Sequence, residues 1–139
     1  MTYAAFRSIG AYIPPKIMTN ADFEKIIDTT DEWITKRTGI KERRISEVDE
    51  ASSDLGARAA QVAIDRAGIA KEEIDLVICA TVTPDYLCMP STACLISAKV
   101  GLPNVMAFDI SAACTGFVYA VSIAKAFIES GMKKNVLII

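Results

Sequence analysis

Segment 74–83 is a nearly continuous apolar run, rich in β-branched side chains, that is broken by Pro84 and Asp85. A strand with one solvated face alternates apolar and polar residues, whereas a strand that is buried on both faces is apolar along most of its length. Strands of the second kind occur in parallel sheets that helices cover on both sides. The segment therefore predicts an inner strand of a parallel sheet.

Strand-like and helix-like segments alternate along the rest of the chain, without internal repeats or low-complexity tracts. Further strands are predicted at 3–13, 105–110 and 136–139. Helices are predicted at 20–27, 31–37, 53–67, 91–100 and from 117 up to Gly131. Asn20 suits the first N-cap, Thr30 or Asp31 opens the second helix, and Gly39 ends it. Strands that alternate with helices call for an α/β fold with right-handed crossovers.

One cysteine stands where a predicted strand turns into a helix. Residues 108–117 read FDISAACTGF, so an apolar strand passes through small residues and Cys114 into a helix. At the first turn of that helix, unpaired N–H groups and the positive end of the helix dipole favour a thiolate, which is the nucleophilic form. Cys114 is therefore a candidate nucleophile. The alternative is a small apolar residue in a packed interior.

A second candidate site lies in segment 31–44. Trp33 and Arg37 are four residues apart, so a helix places them on one face, one turn apart. An indole and a guanidinium both offer flat surfaces on which a purine can stack. Several basic residues make the segment locally positive: Lys36, Arg37, Lys41, Arg43 and Arg44. The pattern suits a nucleotide with its phosphates, or alternatively a solvated basic face with one tryptophan in the core.

A proline-bounded loop between a strand and a helix carries apolar side chains. It reads YLCMP at residues 86–90, and a core or subunit-interface position suits it. Cys79, Cys88 and Cys94 lack the placement of Cys114 at a strand-to-helix turn. We interpret these three cysteines as structural.

The composition excludes several classes of protein. A formal net charge of −2 gives no support for nucleic-acid binding by the chain as a whole. The four cysteines form no C-x-x-C pair and there is no histidine, so the spacing of a zinc site is absent. No signal peptide or membrane span is predicted, which favours a reducing, cytoplasmic setting. The 139 residues, 52% of them hydrophobic, can bury a sizeable core.

Three motifs together resemble the β-ketoacyl-acyl-carrier-protein synthase III family of the thiolase superfamily. They are FDISAACTGF at 108–117, TTDEWITKRTGIKER at 29–43 and PSTAC at 90–94, and the similarity continues in order along nearly the whole chain. The resemblance implies the first half of a thiolase-like α/β fold. In that fold, helices flank a parallel or mixed sheet and the nucleophilic cysteine lies at a helix N-terminus.

The resemblance also implies roles for individual residues. The family's match to Cys114 becomes acylated, and its matches to Trp33 and Arg37 sandwich the adenine of coenzyme A. Thr29 matches a further residue near the nucleotide. Met89 matches a residue, often phenylalanine, that reaches across a homodimer interface to line the partner's acyl pocket. Methionine at this position leaves the preferred acyl-chain length open.

The implied function is that of a condensing enzyme that starts fatty-acid synthesis. Cys114 takes an acyl group from acetyl-CoA or another short acyl-CoA, malonyl-acyl carrier protein then condenses with it, and no metal or redox cofactor is implied. Lys41, Arg43 and Arg44 would face coenzyme A, acyl carrier protein or solvent. Two alternatives stay open: a related condensing enzyme of the hydroxymethylglutaryl-CoA or quinolone synthase type, and a module that only binds coenzyme A or forms dimers.

We expect residues 1–139 to be an N-terminal thiolase-like half-domain that stops within a core strand. Residues 135–139, NVLII, have the pattern of a sheet strand, and such a strand at a terminus leaves apolar surface and backbone groups uncovered. Members of the resembled family are considerably longer. Their second half supplies a histidine and an asparagine that complete the active site, whereas this sequence contains no histidine.

Overall fold

The computed structural model describes residues 2–139, which form two compact units. The larger comprises the chain up to Tyr12 together with Ala51–Ile139, and the smaller comprises Ile13–Glu50. The strands are β1 Lys16–Thr19, β2 Glu42–Ile45, β3 Leu76–Ala80, β4 Met106–Ile110 and β5 Val136–Ile138. The helices are α1 Asn20–Phe23, α2 Asp31–Thr38, α3 Ser52–Ala67, α4 Thr92–Val100 and α5 Gly116–Glu129. Among the residues described, no helix combines the length and apolar character that crossing a membrane requires.

The larger unit is built around a parallel sheet with the strand order β4–β3–β5. β3 is central, because Ile78 pairs with Phe108 of β4 on one side and with Ile138 of β5 on the other. Leu76, Val77 and Ile78 are 0% exposed. This burial confirms the predicted inner strand of a parallel sheet.

Helices cover both faces of the sheet. On one face, α3 and α4 pack against it through a cluster that includes Ile64, Val77 and Ile96. On the other face, α5 contributes Ala120 and Ala124 to a second buried cluster. Alternate residues of β3 enter the two clusters, as the period of two in a strand requires. The predicted α/β architecture is confirmed for this unit.

The ends of α2 agree with the prediction, whereas the start of α1 differs. The Thr30 side chain caps α2 by accepting a hydrogen bond from the N–H of Trp33, and Gly39 ends the helix in the left-handed conformation at φ 72°. The N-cap of α1 is Thr19, and not Asn20 as predicted. Asn20 is instead buried, with its side chain bonded to residues beyond α1.

The strand predicted at 3–13 is wrong, because these residues belong to no strand of the structure. The segment lies along α3 instead. The Ser8 hydroxyl donates to the carbonyl oxygen of Ala63 at 2.7 Å, and the Arg66 guanidinium donates to the carbonyl oxygen of Ile9 at 2.8 Å. A mostly apolar segment closed by two prolines favours an extended chain, but a strand also requires a neighbouring strand to complete the hydrogen-bond ladder. Here the neighbour is a helix.

The smaller unit contains an antiparallel strand pair that was not predicted from the sequence. β1 and β2 pair in a register that runs from Lys16 opposite Ile45 to Thr19 opposite Glu42. Each strand has four residues and carries charge, reading KIMT and ERRI. Such short, partly polar strands lack the hydrophobic alternation by which strands are recognised.

Asp75, just before β3, accepts hydrogen bonds from the segment that leads into β5. Its Oδ2 lies 2.7 Å from the backbone nitrogen of Lys134 and 3.2 Å from that of Asn135. The N–H of Lys134 has the largest effect in holding the pKa of Asp75 below its usual value. The carboxylate therefore fastens the start of an outer strand to the central strand.

We expect Asp75→Ala to lower the free energy of unfolding by about 1–3 kcal/mol, because it leaves two N–H groups without their charged acceptor. A lowered folded-state pKa means that this contribution is complete above about pH 4 and is lost as the pH falls through the folded-state value. Urea denaturation at pH 7 and at pH 3 tests this. The difference between wild type and variant should shrink at the lower pH, whereas the exposed control Asp28→Ala should show little effect at either. An equal loss at both values would contradict the assignment.

Candidate active site

Cys114 lies on the 3₁₀ turn Ala113–Thr115, which joins β4 to α5, and its side chain is exposed. β4 runs parallel to β3, so this turn follows the carboxyl end of a strand in a parallel sheet. Ligands of α/β proteins bind at that edge. α5 begins at Gly116. Cys114 therefore precedes the helix, and does not occupy its first turn as predicted.

The turn around Cys114 has a strained backbone and tight packing. Ala113 has a φ of 44°, in the left-handed region that alanine rarely adopts. The N–H and the hydroxyl of Thr115 both donate to the carbonyl oxygen of Ala112, at 3.1 and 2.7 Å. A Cβ at Gly116 would lie 3.1 Å from the Cβ of Ala80 at the end of β3. Strain of this kind, about 1–3 kcal/mol for a residue, is concentrated at functional sites.

Asp109 anchors the end of β4 that leads to Cys114. Its two carboxylate oxygens accept hydrogen bonds from the backbone N–H groups of Thr92 and Ala93, both at 2.7 Å. Thr92 and Ala93 open α4, where the helix dipole also favours a negative charge. Asp109 was not singled out from the sequence. The available signal was an aspartate within an otherwise apolar strand, because a carboxylate is rarely buried without partners.

The other cysteines differ in their environments. Cys79 on β3 is 4% exposed, and its burial, reinforced by nearby carboxylates, raises the pKa of the thiol to about 12. Such a thiol is inert, in keeping with a structural role. Cys88 and Cys94 are exposed, as Cys114 is, so burial gives no support to a structural role for them.

Trp33 and Arg37 lie side by side on α2, as their spacing predicts. The guanidinium carbon of Arg37 is 4.6 Å from the centroid of the Trp33 ring, and Trp33 is 54% exposed. Together with Thr30, Glu32 and Lys36 they line a cleft with a volume of about 530 Å³. An aromatic surface beside two cations suits a planar ligand that carries negative charge.

In this structure Trp33 and Arg37 lie closer together than the expected adenine sandwich requires. A ring between Trp33 and Arg37 needs about 7–8 Å, which is twice the van der Waals separation of stacked atoms. At 4.6 Å the two side chains are in direct contact, because the indole face attracts the guanidinium. A purine would therefore stack on the open surface of Trp33 or displace Arg37. Thr29 immediately precedes the cleft-lining Thr30 and is itself only partly exposed.

The arginines of β2 are engaged within the smaller unit. Arg43 donates from Nη1 to Oδ1 of Asn20 at 2.8 Å, and its guanidinium lies 4.3 Å from the centroid of the Phe23 ring. Arg44 donates to the carbonyl oxygen of Pro14 at 3.4 Å. These contacts give Arg43 a structural role within the smaller unit.

Met89 lies in the loop before α4, where its side chain is 80% exposed and that of Leu87 is fully exposed. The peptide bond between Met89 and Pro90 is cis. Met89 and Cys114 belong to the larger unit, whereas Trp33, Arg37 and Thr29 belong to the smaller. The structure thus brings the proposed nucleotide-binding pair together and places the candidate nucleophile in a separate unit.

Comparisons with known proteins bear on these sites. The family model for 3-oxoacyl-[acyl-carrier-protein] synthase III matches residues 108–139, which contain the end of β4, Cys114 and α5. The β-ketoacyl-[acyl-carrier-protein] synthase III of Aliarcobacter butzleri is 84% identical over 139 residues, which cover 100% of this chain and 42% of the relative. The chain is therefore similar over its whole length to a synthase of this name. The Campylobacter fetus relative of the same name is 62% identical with the same coverage.

Solved structures of synthase III proteins have the same fold. The 3-oxoacyl-[acyl-carrier-protein] synthase III of Aquifex aeolicus is 51% identical with a TM-score of 0.91, and the match covers 99% of this chain and 44% of that one. The priming β-ketosynthase of the R1128 polyketide pathway is 38% identical with a TM-score of 0.93, covering 99% and 41%. The fold is therefore the thiolase-like α/β fold of these synthases. The chain spans about two fifths of the length of the curated relatives.

Proposed function

We propose that the protein carrying this chain is a β-ketoacyl-acyl-carrier-protein synthase III. It condenses acetyl-CoA, or another short acyl-CoA, with malonyl-acyl carrier protein to start fatty-acid synthesis. One observation carries the proposal: an exposed Cys114 follows the carboxyl end of β4, on a strained turn before a helix, in a chain 84% identical to a relative of that name.

The first half of the proposed reaction is acyl transfer to Cys114. The thiolate attacks the thioester carbonyl of the acyl-CoA, the bond to the coenzyme A sulfur breaks, and coenzyme A leaves with the proton that the cysteine lost. The exchange is feasible because attacking and leaving groups are both thiolates. The backbone N–H of Cys114 is proposed to stabilise the oxyanion that forms on the carbonyl oxygen.

The second half is a decarboxylating condensation. Malonyl-acyl carrier protein loses carbon dioxide, the resulting enolate attacks the acyl-cysteine carbonyl, and the Cys114 thiolate leaves as 3-oxoacyl-acyl carrier protein forms. This chemistry needs neither a metal ion nor a redox cofactor.

We also propose that the protein acts in the cytoplasm, as expected from the sequence. We further propose that the exposed loop with Leu87 and Met89 meets a second copy of the protein in a homodimer, which its apolar exposure supports.

A choice of second substrate tests the proposed function. The protein carrying this chain is incubated with acetyl-CoA and either malonyl-acyl carrier protein or acetoacetyl-CoA, and the products are identified by mass spectrometry. We expect a 3-oxoacyl-acyl carrier protein in the first mixture and no condensation in the second. Condensation with acetoacetyl-CoA alone would assign a hydroxymethylglutaryl-CoA synthase type of reaction.

A second candidate function is that the 139 residues only bind coenzyme A or form dimers. Two observations favour it: the sequence contains no histidine, and the chain spans 42% of the length of its relative. The histidine and asparagine that assist decarboxylation in the family are expected in the remaining part of such a relative. Binding of coenzyme A without acyl transfer or condensation would support this alternative.

We expect Trp33→Ala to weaken coenzyme A binding by about 1–3 kcal/mol, the effect of removing an aromatic platform from under a base. The affinity is measured by calorimetric titration with coenzyme A. The control Phe6→Ala removes another exposed aromatic ring, 71% exposed, from outside the cleft and should leave the affinity unchanged. An unchanged dissociation constant in the Trp33 variant would remove this residue from the site.

A further inference from the structure

Asn20 is a buried polar residue whose side-chain amide is fully engaged. It is 2% exposed. Its Nδ2 donates to Oδ1 of Asp31 at 2.7 Å and to the carbonyl oxygen of Ile40 at 2.8 Å, and its Oδ1 accepts from Arg43 at 2.8 Å. Two acceptors face the amide nitrogen and a cation faces the amide oxygen, so only this orientation of the side chain satisfies all three partners.

The partners of Asn20 lie at both ends of α2 and on β2. Asp31 is the first residue of α2, and Ile40 follows the glycine that ends it. Arg43 belongs to β2, and its guanidinium also covers the Phe23 ring of α1. A single side chain therefore connects the start and the end of α2 to the strand pair of the smaller unit.

α2 depends on such contacts for its position. It has eight residues, which is too short for a helix to be stable alone, and Ile34 is its only buried residue. Little apolar burial is available to orient it. The caps at Thr30 and Gly39 define where the helix begins and ends, but they do not connect it to β2.

We propose that Asn20 is a positioning residue for the nucleotide of acyl-CoA, because it holds α2 in the orientation that presents Trp33 and Arg37 to that ligand. This inference rests on the proposed function, in which those two side chains bind coenzyme A. Loss of the Asn20 side chain removes one hydrogen bond at each end of α2 at once, and leaves the start of the helix with the bond from the Asp31 N–H to Oε1 of Glu24. Trp33 and Arg37 then lose the orientation that presents them to the nucleotide. Cys114, which belongs to the other unit, keeps its local structure.

The test compares two acyl donors in the protein carrying this chain. Acetyl-CoA carries the nucleotide, whereas acetyl-pantetheine carries the same thioester without it. For Asn20→Ala we expect the KM for acetyl-CoA to rise about tenfold with little change in kcat, because displaced Trp33 and Arg37 side chains bind the nucleotide less well in the ground state and in the transition state alike. The KM for acetyl-pantetheine should stay the same. A general folding defect would impair both donors.

Two further variants keep the test decisive. Asp31→Ala removes one partner of the Asn20 amide at a site whose side chain is 54% exposed, so it should fold and show the same split to a smaller degree. Ser97→Ala removes a comparable buried hydrogen bond, 2.7 Å to the carbonyl oxygen of Ala93 in the larger unit, and should change neither KM. Equal losses with both donors in the Asn20 and Asp31 variants would overturn the positioning role.

The outcome also separates this inference from the proposed function. If Trp33→Ala raises the KM for acetyl-CoA and Asn20→Ala does not, the nucleotide site stands and the role of Asn20 is refuted. If Trp33→Ala leaves that KM unchanged, the nucleotide site itself is wrong and Asn20 has nothing to position.

Discussion

Cys114→Ala is expected to abolish the transfer of an acetyl group from acetyl-CoA to the protein and to lower the condensation rate by at least about 10³-fold, as removal of a catalytic nucleophile does. The physical reason is that alanine cannot form the thioester that divides the reaction into two easier steps. The measurement is an intact mass spectrum of the protein carrying this chain before and after incubation with acetyl-CoA, together with the rate of 3-oxoacyl-acyl carrier protein formation.

The matched controls are Cys88→Ala and Cys94→Ala, because these thiols are also exposed. Exposure alone would make all three cysteines equally open to acetylation. We expect both controls to gain one acetyl group as the wild type does, since neither thiol lies on the strained turn between β4 and α5. Acetylation that persists in Cys114→Ala and disappears in either control would move the nucleophile to that other cysteine.

Ile78→Ala is expected to lower the free energy of unfolding by about 2–5 kcal/mol, the range for truncating a buried isoleucine. Ile78 is 0% exposed in the central strand, between Phe108 of β4 and Ile138 of β5, and it packs against the α5 side of the sheet. Its removal leaves a cavity that the two flanking strands cannot close without shifting. Urea denaturation at neutral pH gives the change.

Ile26→Ala is the matched control, because it deletes the same atoms from a side chain that is 65% exposed. We expect its effect to lie within about 0.5 kcal/mol of zero, as for most surface substitutions. A comparable loss in both variants would mean that burial in the sheet does not account for the effect at Ile78. Hydrogen exchange at the amides of β3 provides a second readout, since a loosened central strand should lose protection.

Elements with local signals were predictable. Strand β3 can be predicted from its own residues, because a nearly continuous apolar run indicates a strand that is buried on both faces. The Thr30 cap and the glycine at position 39 likewise act within one turn of α2. The spacing of Trp33 and Arg37 also predicts their contact, which the structure shows at 4.6 Å.

Elements defined by a distant partner were not predictable in the same way. The apolar character of residues 3–13 fits a strand, yet the segment packs so closely on α3 that a Cβ at Gly10 would lie 2.4 Å from the carbonyl oxygen of Ala59. The pairing of β1 with β2 depends on backbone hydrogen bonds, which any sequence can donate. The strain at Ala113 arises from a turn packed on the end of β3 and has no signature in residue type.

The order of residues therefore specifies those helices and strands whose signals are local, and it marks Cys114, Trp33 and Arg37 as candidates, because periodicity, capping and motif spacing act over short stretches of chain. Folding adds the contacts between residues remote in sequence. Asn20 meets Arg43 and Asp109 meets the start of α4 only in the folded chain. Hydrogen bonds of buried polar groups depend on distance and angle in space, so these supporting residues become visible only once the elements are assembled.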